Sequence, residues 1–355
     1  MSVPPPRLAE TKDRGGTLIE IDFLWVGEET KTGDAIGCHF THPQTGENVV
    51  VLIDGGFVET GDRIVDHVQS YYNTSTVDLV ICTHPDDDHI KGLFTVLEKL
   101  DVRRLLIHRP SQYGFVGDEY KSPLVEDLVA TAMANNTAVD SGFAGTSYFG
   151  GALTIAGPTE TDYTAFLSDH AVWDSTANQV ARALFEKAGT VKRALRSLFY
   201  DPGETLTDDN GGTSPRNNTS IICNLAVDGY RVLFTGDAGA PALTAAADYL
   251  DSAALSGKDI DLFDVPHHGS RHNLTKDLCD RLLGPVVGEV HKGGAYVTVG
   301  KKAKDHPRPE VANALKRRGY PVFEVRGQIV CWQQNAPDRL GWGPATSLNW
   351  LDESD

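Results

Sequence analysis

A chain of 355 residues, 40% apolar and 23% charged, can bury a large core and has the balance of an ordinary soluble globular protein. Its formal net charge of −17 counts against a broad, sequence-independent grip on nucleic acid, which needs clustered Lys and Arg, while leaving room for a local basic groove. No run approaches the roughly 18 apolar residues of a membrane-spanning helix, and the proline-rich start, Met1 to Glu10, lacks an apolar signal core, so a cytoplasmic protein is expected.

After a flexible leader over residues 1–16, residues 18–26 alternate in part and predict a strand. The β-branched run 48–53 predicts another, ending at Asp54-Gly55-Gly56. Ile64, Val65, Val68 and Tyr72 then recur at helical spacing. Residues 77–82 are almost wholly apolar, as a strand buried on both faces is, and stop at Thr83-His84-Pro85. Ile90, Leu93, Phe94, Leu97 and Leu100 mark an amphipathic helix. From about 110 to 217 the pattern is less regular and reads as an insertion, with 201–218, rich in Gly, Asp, Asn, Thr and Pro, as a long functional loop. The rhythm returns with strands at 231–235 and 261–265, which end in Gly236-Asp237 and in Pro266-His267-His268-Gly269-Ser270. A strand at 295–299, a helix near 309–318 and closing strands at 322–325 and 328–332 follow, and residues 336–355 read as a tail.

Two basic stretches, 182–196 and 301–318, read first as solvated helix faces and second as binding surfaces. The five cysteines are odd in number, widely spaced and form no CxxC pair, which points to buried thiols and away from a disulfide framework or a structural zinc knuckle.

The strongest chemical signal is Thr83-His84-Pro85-Asp86-Asp87-Asp88-His89. Two histidines and three aspartates follow a buried strand directly and precede a helix. Neutral imidazoles and carboxylates are the ligands of zinc and manganese in catalytic sites. So many acids repel one another, and a cation relieves that repulsion. The competing interpretation is an acidic turn capping a helix that starts at His89. Gly236-Asp237 alone marks a turn as readily as a site, and adjacent histidines could form a satisfied polar corner. Three strand ends that all deliver His and Asp make a composite site.

The segment HPDDDH resembles the HxHxDH signature of metallo-β-lactamase-fold hydrolases, with Asp86 where the middle histidine usually stands. The order of Asp54-Gly55-Gly56, this motif, Gly236-Asp237 and HHGS also follows that family. More narrowly, the chain is similar to the soluble hydrolase domain of the ComEC/Rec2 competence proteins, through Asn217-Asn218-Thr219-Ser220, the PHHGS segment, Gly300 and Asp305-His306-Pro307.

The resemblance implies an α/β fold, the metallo-β-lactamase αββα sandwich of two mixed sheets flanked by helices, over residues 17–335. It implies that His84 and Asp86 hold one ion, that Asp88, His89 and His267 hold a second, and that Asp237 bridges them; which of His267 and His268 is the ligand stays open. Asp54 would orient the motif loop from behind. His268 and His306 would contact substrate or carry a proton, and Asp88 would accept the proton of the attacking water. Besides Asp86, the chain departs from the pattern at two further places. Asn217 occupies the region where many relatives place a further histidine, and Lys91 replaces a glycine, facing either a phosphate or solvent.

The implied function is metal-dependent hydrolysis with one or two Zn²⁺ or Mn²⁺ ions, by a phosphodiesterase or nuclease acting on nucleic acid. Hydrolysis of a small phosphoester or a lactone is the alternative, and a non-catalytic binding module a third. No membrane association is expected.

Overall fold

The computed structural model describes residues 7–8, 16–173, 204–206, 212–288 and 290–353. The basic stretch 182–196 lies outside the described residues, as does much of the loop 201–218.

Two mixed sheets face each other. The first has eight strands, running edge to edge through Arg7–Leu8, Val330–Gln334, Ile19–Phe23, Ile36–Thr41, Asn48–Ile53, Leu79–Ile81, Arg104–Leu106 and Ala138–Asp140. The second has seven: Ser147–Tyr148, Leu153–Gly157, Ile222–Val227, Tyr230–Phe234, Leu262–Asp264, Gly294–Thr298 and Val322–Val325. Residues 110–173, expected to be irregular, therefore supply strands to both sheets, together with the helices Ser122–Ala134 and Glu160–Trp173. Arg7–Leu8, inside the expected leader, pairs in parallel with Cys331–Trp332.

Apart from the parallel edge pair of Arg7–Leu8, both sheets change from antiparallel to parallel pairing partway across. In the first sheet the change comes after Asn48–Ile53, and in the second after Tyr230–Phe234. Parallel neighbours need crossover helices, which cover the outer faces. The inner faces pack together through residues such as Ile21, Phe23, Val51, Ile155, Val232 and Tyr296. The helices Val58–Tyr71, Asp87–Lys99 and Ser122–Ala134 bury their apolar sides on the first sheet, through Val68, Leu93, Val96 and Leu128. Ala240–Ser252, Lys276–Leu283 and Pro309–Arg317 do the same on the second, through Ala246, Leu278 and Leu315. All five cysteines are buried and free. Among the described residues no helix is long and apolar enough to cross a membrane.

The expected tail is a strap across both layers. Arg339 donates to Asp22 Oδ1 (2.7 Å) and Oδ2 (2.9 Å) and to Glu20 Oε1 (2.9 Å) in the first sheet. Farther on, Leu348 N donates to Val322 O (2.8 Å) at the edge of the second sheet, and Leu351 and Glu353 bond Asn313. Burial would raise the pKa of Asp22, but His67 and Arg339 hold it well below the usual carboxylate range. Removing one partner of a buried charge pair leaves the other uncompensated. Arg339→Ala is therefore expected to cost about 3 kcal/mol, read as a lower urea midpoint at unchanged slope; an unchanged midpoint would contradict this reading of the strap.

In the basic stretch 301–318, Arg318 is wholly buried and pairs with Glu204 (2.6 Å) and Asp280 (2.7 Å). That end of the stretch serves the core and not a binding surface.

Candidate metal centre

The centre lies where carboxyl ends of strands from both sheets meet. Asp54 follows Asn48–Ile53, the HPDDDH loop follows Leu79–Ile81, Asp237 follows Tyr230–Phe234, and the histidine pair follows Leu262–Asp264. Asp54 is wholly buried and occupies the left-handed region (φ 58°). Its Oδ1 accepts from Thr83 N (2.7 Å), and its Oδ2 lies within hydrogen-bond distance of Thr83 Oγ1 (2.6 Å) and His89 Nδ1 (2.7 Å). It thus braces the loop and turns His89 so that Nε2 points into the site.

The helix behind the loop begins at Asp87, not His89. A side chain at Gly92 would collide with the Gly55 carbonyl, so only glycine lets this helix sit against the Asp54 turn. Gly55 N accordingly donates to His89 O (2.6 Å). Asp86 caps nothing with its side chain, so the loop's acids are not explained as a capping turn.

Asp237 is the hub. Its Oδ2 lies 3.6 Å from His84 Nε2 and 3.5 Å from His267 Nε2. Its Oδ1 lies 3.4 Å from His89 Nε2 and 4.0 Å from His268 Nε2. Hydrogen bonds in proteins fall near 2.7–3.2 Å, so these contacts are too long to be hydrogen bonds. They suit ligands sharing an ion instead: two atoms about 2.0–2.1 Å from a tetrahedral zinc lie about 3.4 Å apart. The buried atoms His84 Nε2, His89 Nε2, Asp237 Oδ1 and both ring nitrogens of His268 have no hydrogen-bond partner among the described residues. Burying polar atoms unpaired costs about 1–3 kcal/mol each, and a cation among them removes that cost. The donor set fits a divalent metal.

Adjacent histidines reach opposite oxygens of one carboxylate because both have left-handed backbones, φ 49° at His267 and φ 57° at His268. Each such residue stores roughly 1–3 kcal/mol of strain. Bonds from His267 N to Gly236 O (3.1 Å) and from Ser270 N to His267 O (2.9 Å) hold the turn. The ring of His267 is fixed at Nδ1 by Asn273 Oδ1 (3.0 Å), with Asn217 Nδ2 at 3.3 Å and Thr213 Oγ1 at 3.4 Å. Asn217 therefore stands behind a histidine. That histidine faces the same Asp237 oxygen as His84, whereas the resemblance had grouped it with Asp88 and His89.

Charges follow from burial and crowding. Burial would raise Asp237, but His267, His89 and His84 hold it well below the usual range. Burial would lower His89, but Asp237 and Asp54 push it well up. Burial, then His89, lowers His84. Burial pushes His268 down to about 4, and burial and then His268 bring His306 to about 4.

Three expected residues sit apart from this hub. Asp86 lies 3.8 Å from His84 but is ion-paired to Arg216 Nε at 2.6 Å. Asp88 is half-buried in the first helical turn, and its charge acts on His268. His306 borders a cavity of about 200 Å³ with Thr30, Lys302 and Lys304. Lys91 pairs with Asp87 (2.6 Å), which Lys121 also contacts (2.9 Å).

Sequence reading missed Asp34 and Arg216. Asp34 is buried, with Oδ1 3.7 Å from His268 Nδ1. Burial, with Asp237 and Asp54 adding to it, pushes its carboxyl up to about 7. A Gly-Asp step like that of Gly236-Asp237 was its one signal. Arg216 lay hidden in the polar loop.

Residues 44–171 match the model of the metallo-beta-lactamase superfamily. That stretch holds Asp54 and HPDDDH and ends before Asp237 and the histidine pair. The crystal structure of a Thermotoga maritima protein classed with the metallo-beta-lactamases is similar at 12% identity, over 69% of this chain and 95% of that one, with a TM-score of 0.37. No curated protein matches. The paired mixed sheets between helical layers and the matched stretch agree: the chain has the metallo-beta-lactamase fold, and residues 44–171 are similar to that superfamily.

Proposed function

We propose that this chain is a metal-dependent hydrolase of phosphodiesters, with nucleic acid as the first candidate and Zn²⁺ or Mn²⁺ as the ion. The observation that supports hydrolysis is Asp237, with unpaired imidazole nitrogens ranged along both of its oxygens. A divalent cation held there supplies Lewis acidity and water that is nucleophilic near neutral pH.

The chain's own residues do the rest. His84 and His267 face one oxygen of Asp237, and His89 and His268 the other, with Asp54 fixing His89 from behind. Asp88, less buried than these, accepts a proton. The opening lies where His267, Asp86 and Arg216 are partly exposed (side chains 33%, 21% and 22%). Substrate enters there. Cations are at hand: Arg216, paired with Asp86, Lys121, paired with Asp87, and Lys304 and Arg308 near His306. A phosphodiester carries the complementary charge, and local cations of this kind are compatible with a net charge of −17. The resemblance to the competence hydrolase domain supports nucleic acid by analogy.

Chelation followed by dialysis is expected to abolish hydrolysis, and added Zn²⁺ or Mn²⁺ to restore it. Bis-p-nitrophenyl phosphate, single- and double-stranded DNA, RNA and a lactone make the discriminating panel. Cleavage of the lactone alone would refute the phosphodiester assignment. Protein that takes up no ion and hydrolyses nothing would be a binding module.

A further inference from the structure

We infer that Asp34 is a direct ligand of the metal centre, completing one ion position with His89, Asp237 and His268. This rests on the metal-dependent reading above and adds to it a carboxylate that precedes every motif of the centre.

One donor atom from each of these four buried residues lies within 4.8 Å of every other. Asp88, the signature acid, is not in the group. The four side chains bring two carboxylates and two imidazoles, a nitrogen and oxygen set suited to zinc or manganese. The two carboxylate charges equal those of one divalent ion, so the ion would sit neutralised in a dry setting. With no ion, His268 places both ring nitrogens among buried groups without a hydrogen bond, and His89 Nε2 and Asp237 Oδ1 are equally unpaired among the described residues.

The backbone holds Asp34 in place. Its N–H donates to Asp88 O (3.2 Å), tying the loop before Ile36–Thr41 to the first turn of the motif helix. Gly33 makes that approach possible: any Cβ there would strike the Asp88 carbonyl oxygen and lie 2.8 Å from Asp88 Cβ. The acid of the motif thus positions Asp34 with its main chain.

The histidine pair is then divided. His268 belongs to the Asp34 position, and His267 to the other, beside His84. Asp86, held by Arg216, contributes least.

The test compares wild type, Asp34→Asn and Asp34→Ala after chelation and dialysis. Each is titrated with Zn²⁺ and, for a visible spectrum, with Co²⁺; bound metal is counted, and melting is measured without metal. Asp34→Asn is nearly isosteric and keeps the comparison valid if Asp34→Ala fails to fold. Affinity at the tighter position is expected to fall more than about 100-fold in both, beyond the roughly 10–100-fold of a residue that only orients a ligand, with a changed Co²⁺ spectrum. A smaller loss with an unaltered spectrum would overturn the role of Asp34 while the metal-dependent reading stands. A wild type that binds neither ion would overturn both.

Discussion

Asp237→Asn is expected to fold, to lose metal and to lower phosphodiester turnover by at least about 10³-fold, the upper end for one electrostatic partner in an active site. The size follows from geometry. Both carboxylate oxygens are engaged, one toward His84 and His267 and one toward His89 and His268. An amide offers a single oxygen and sets its NH₂ group against the other pair. The near-equal shape and the loss of a buried charge spare the metal-free fold. Bound metal, turnover on bis-p-nitrophenyl phosphate and urea unfolding together check this. Undiminished turnover would remove Asp237 from the mechanism.

The largest effect on stability is expected at Asp54. Its carboxylate meets three donors in a site without water access: Thr83 N, Thr83 Oγ1 and His89 Nδ1. Hydrogen bonds to a charged group are worth about 1.5–3 kcal/mol each, and stranded donors cost more. Asp54→Ala should cost about 5 kcal/mol, or roughly 10 °C in melting temperature for a chain of this size. The His89 ring also loses its support, so metal affinity should fall about 10–100-fold. Asp54→Asn keeps one acceptor and should fall between. Calorimetry and Zn²⁺ titration read the two effects separately, and a melting temperature unmoved in Asp54→Ala would contradict the brace.

Much of the centre was legible because strand ends are punctuated. Apolar runs break at Asp54-Gly55-Gly56, Thr83-His84, Gly236-Asp237 and Pro266-His267, and a polar residue just past a buried strand must be exposed or in a site. The fold was less so between residues 110 and 173. There, short strands such as Ser147–Tyr148 and Ala138–Asp140 are too brief to show a period. Asp34 escaped because no apolar run precedes it; it opens a strand instead of closing one. Arg216 escaped because its partner Asp86 is 130 residues away, a separation no local pattern encodes. The division of labour between His267 and His268 depends on two successive left-handed dihedrals, which histidine does not announce as glycine would.

The strap from Arg339 to Glu353 bears on the centre through the two layers it joins. Asp34 and Asp54 belong to one layer and Asp237 to the other, so every spacing across Asp237 registers any slip between layers. Arg339 grips the first layer and Leu348 the second. The stretch that follows the closing strand ties the two layers together outside their shared core, and a nick between those anchors would loosen the jaws that set those distances.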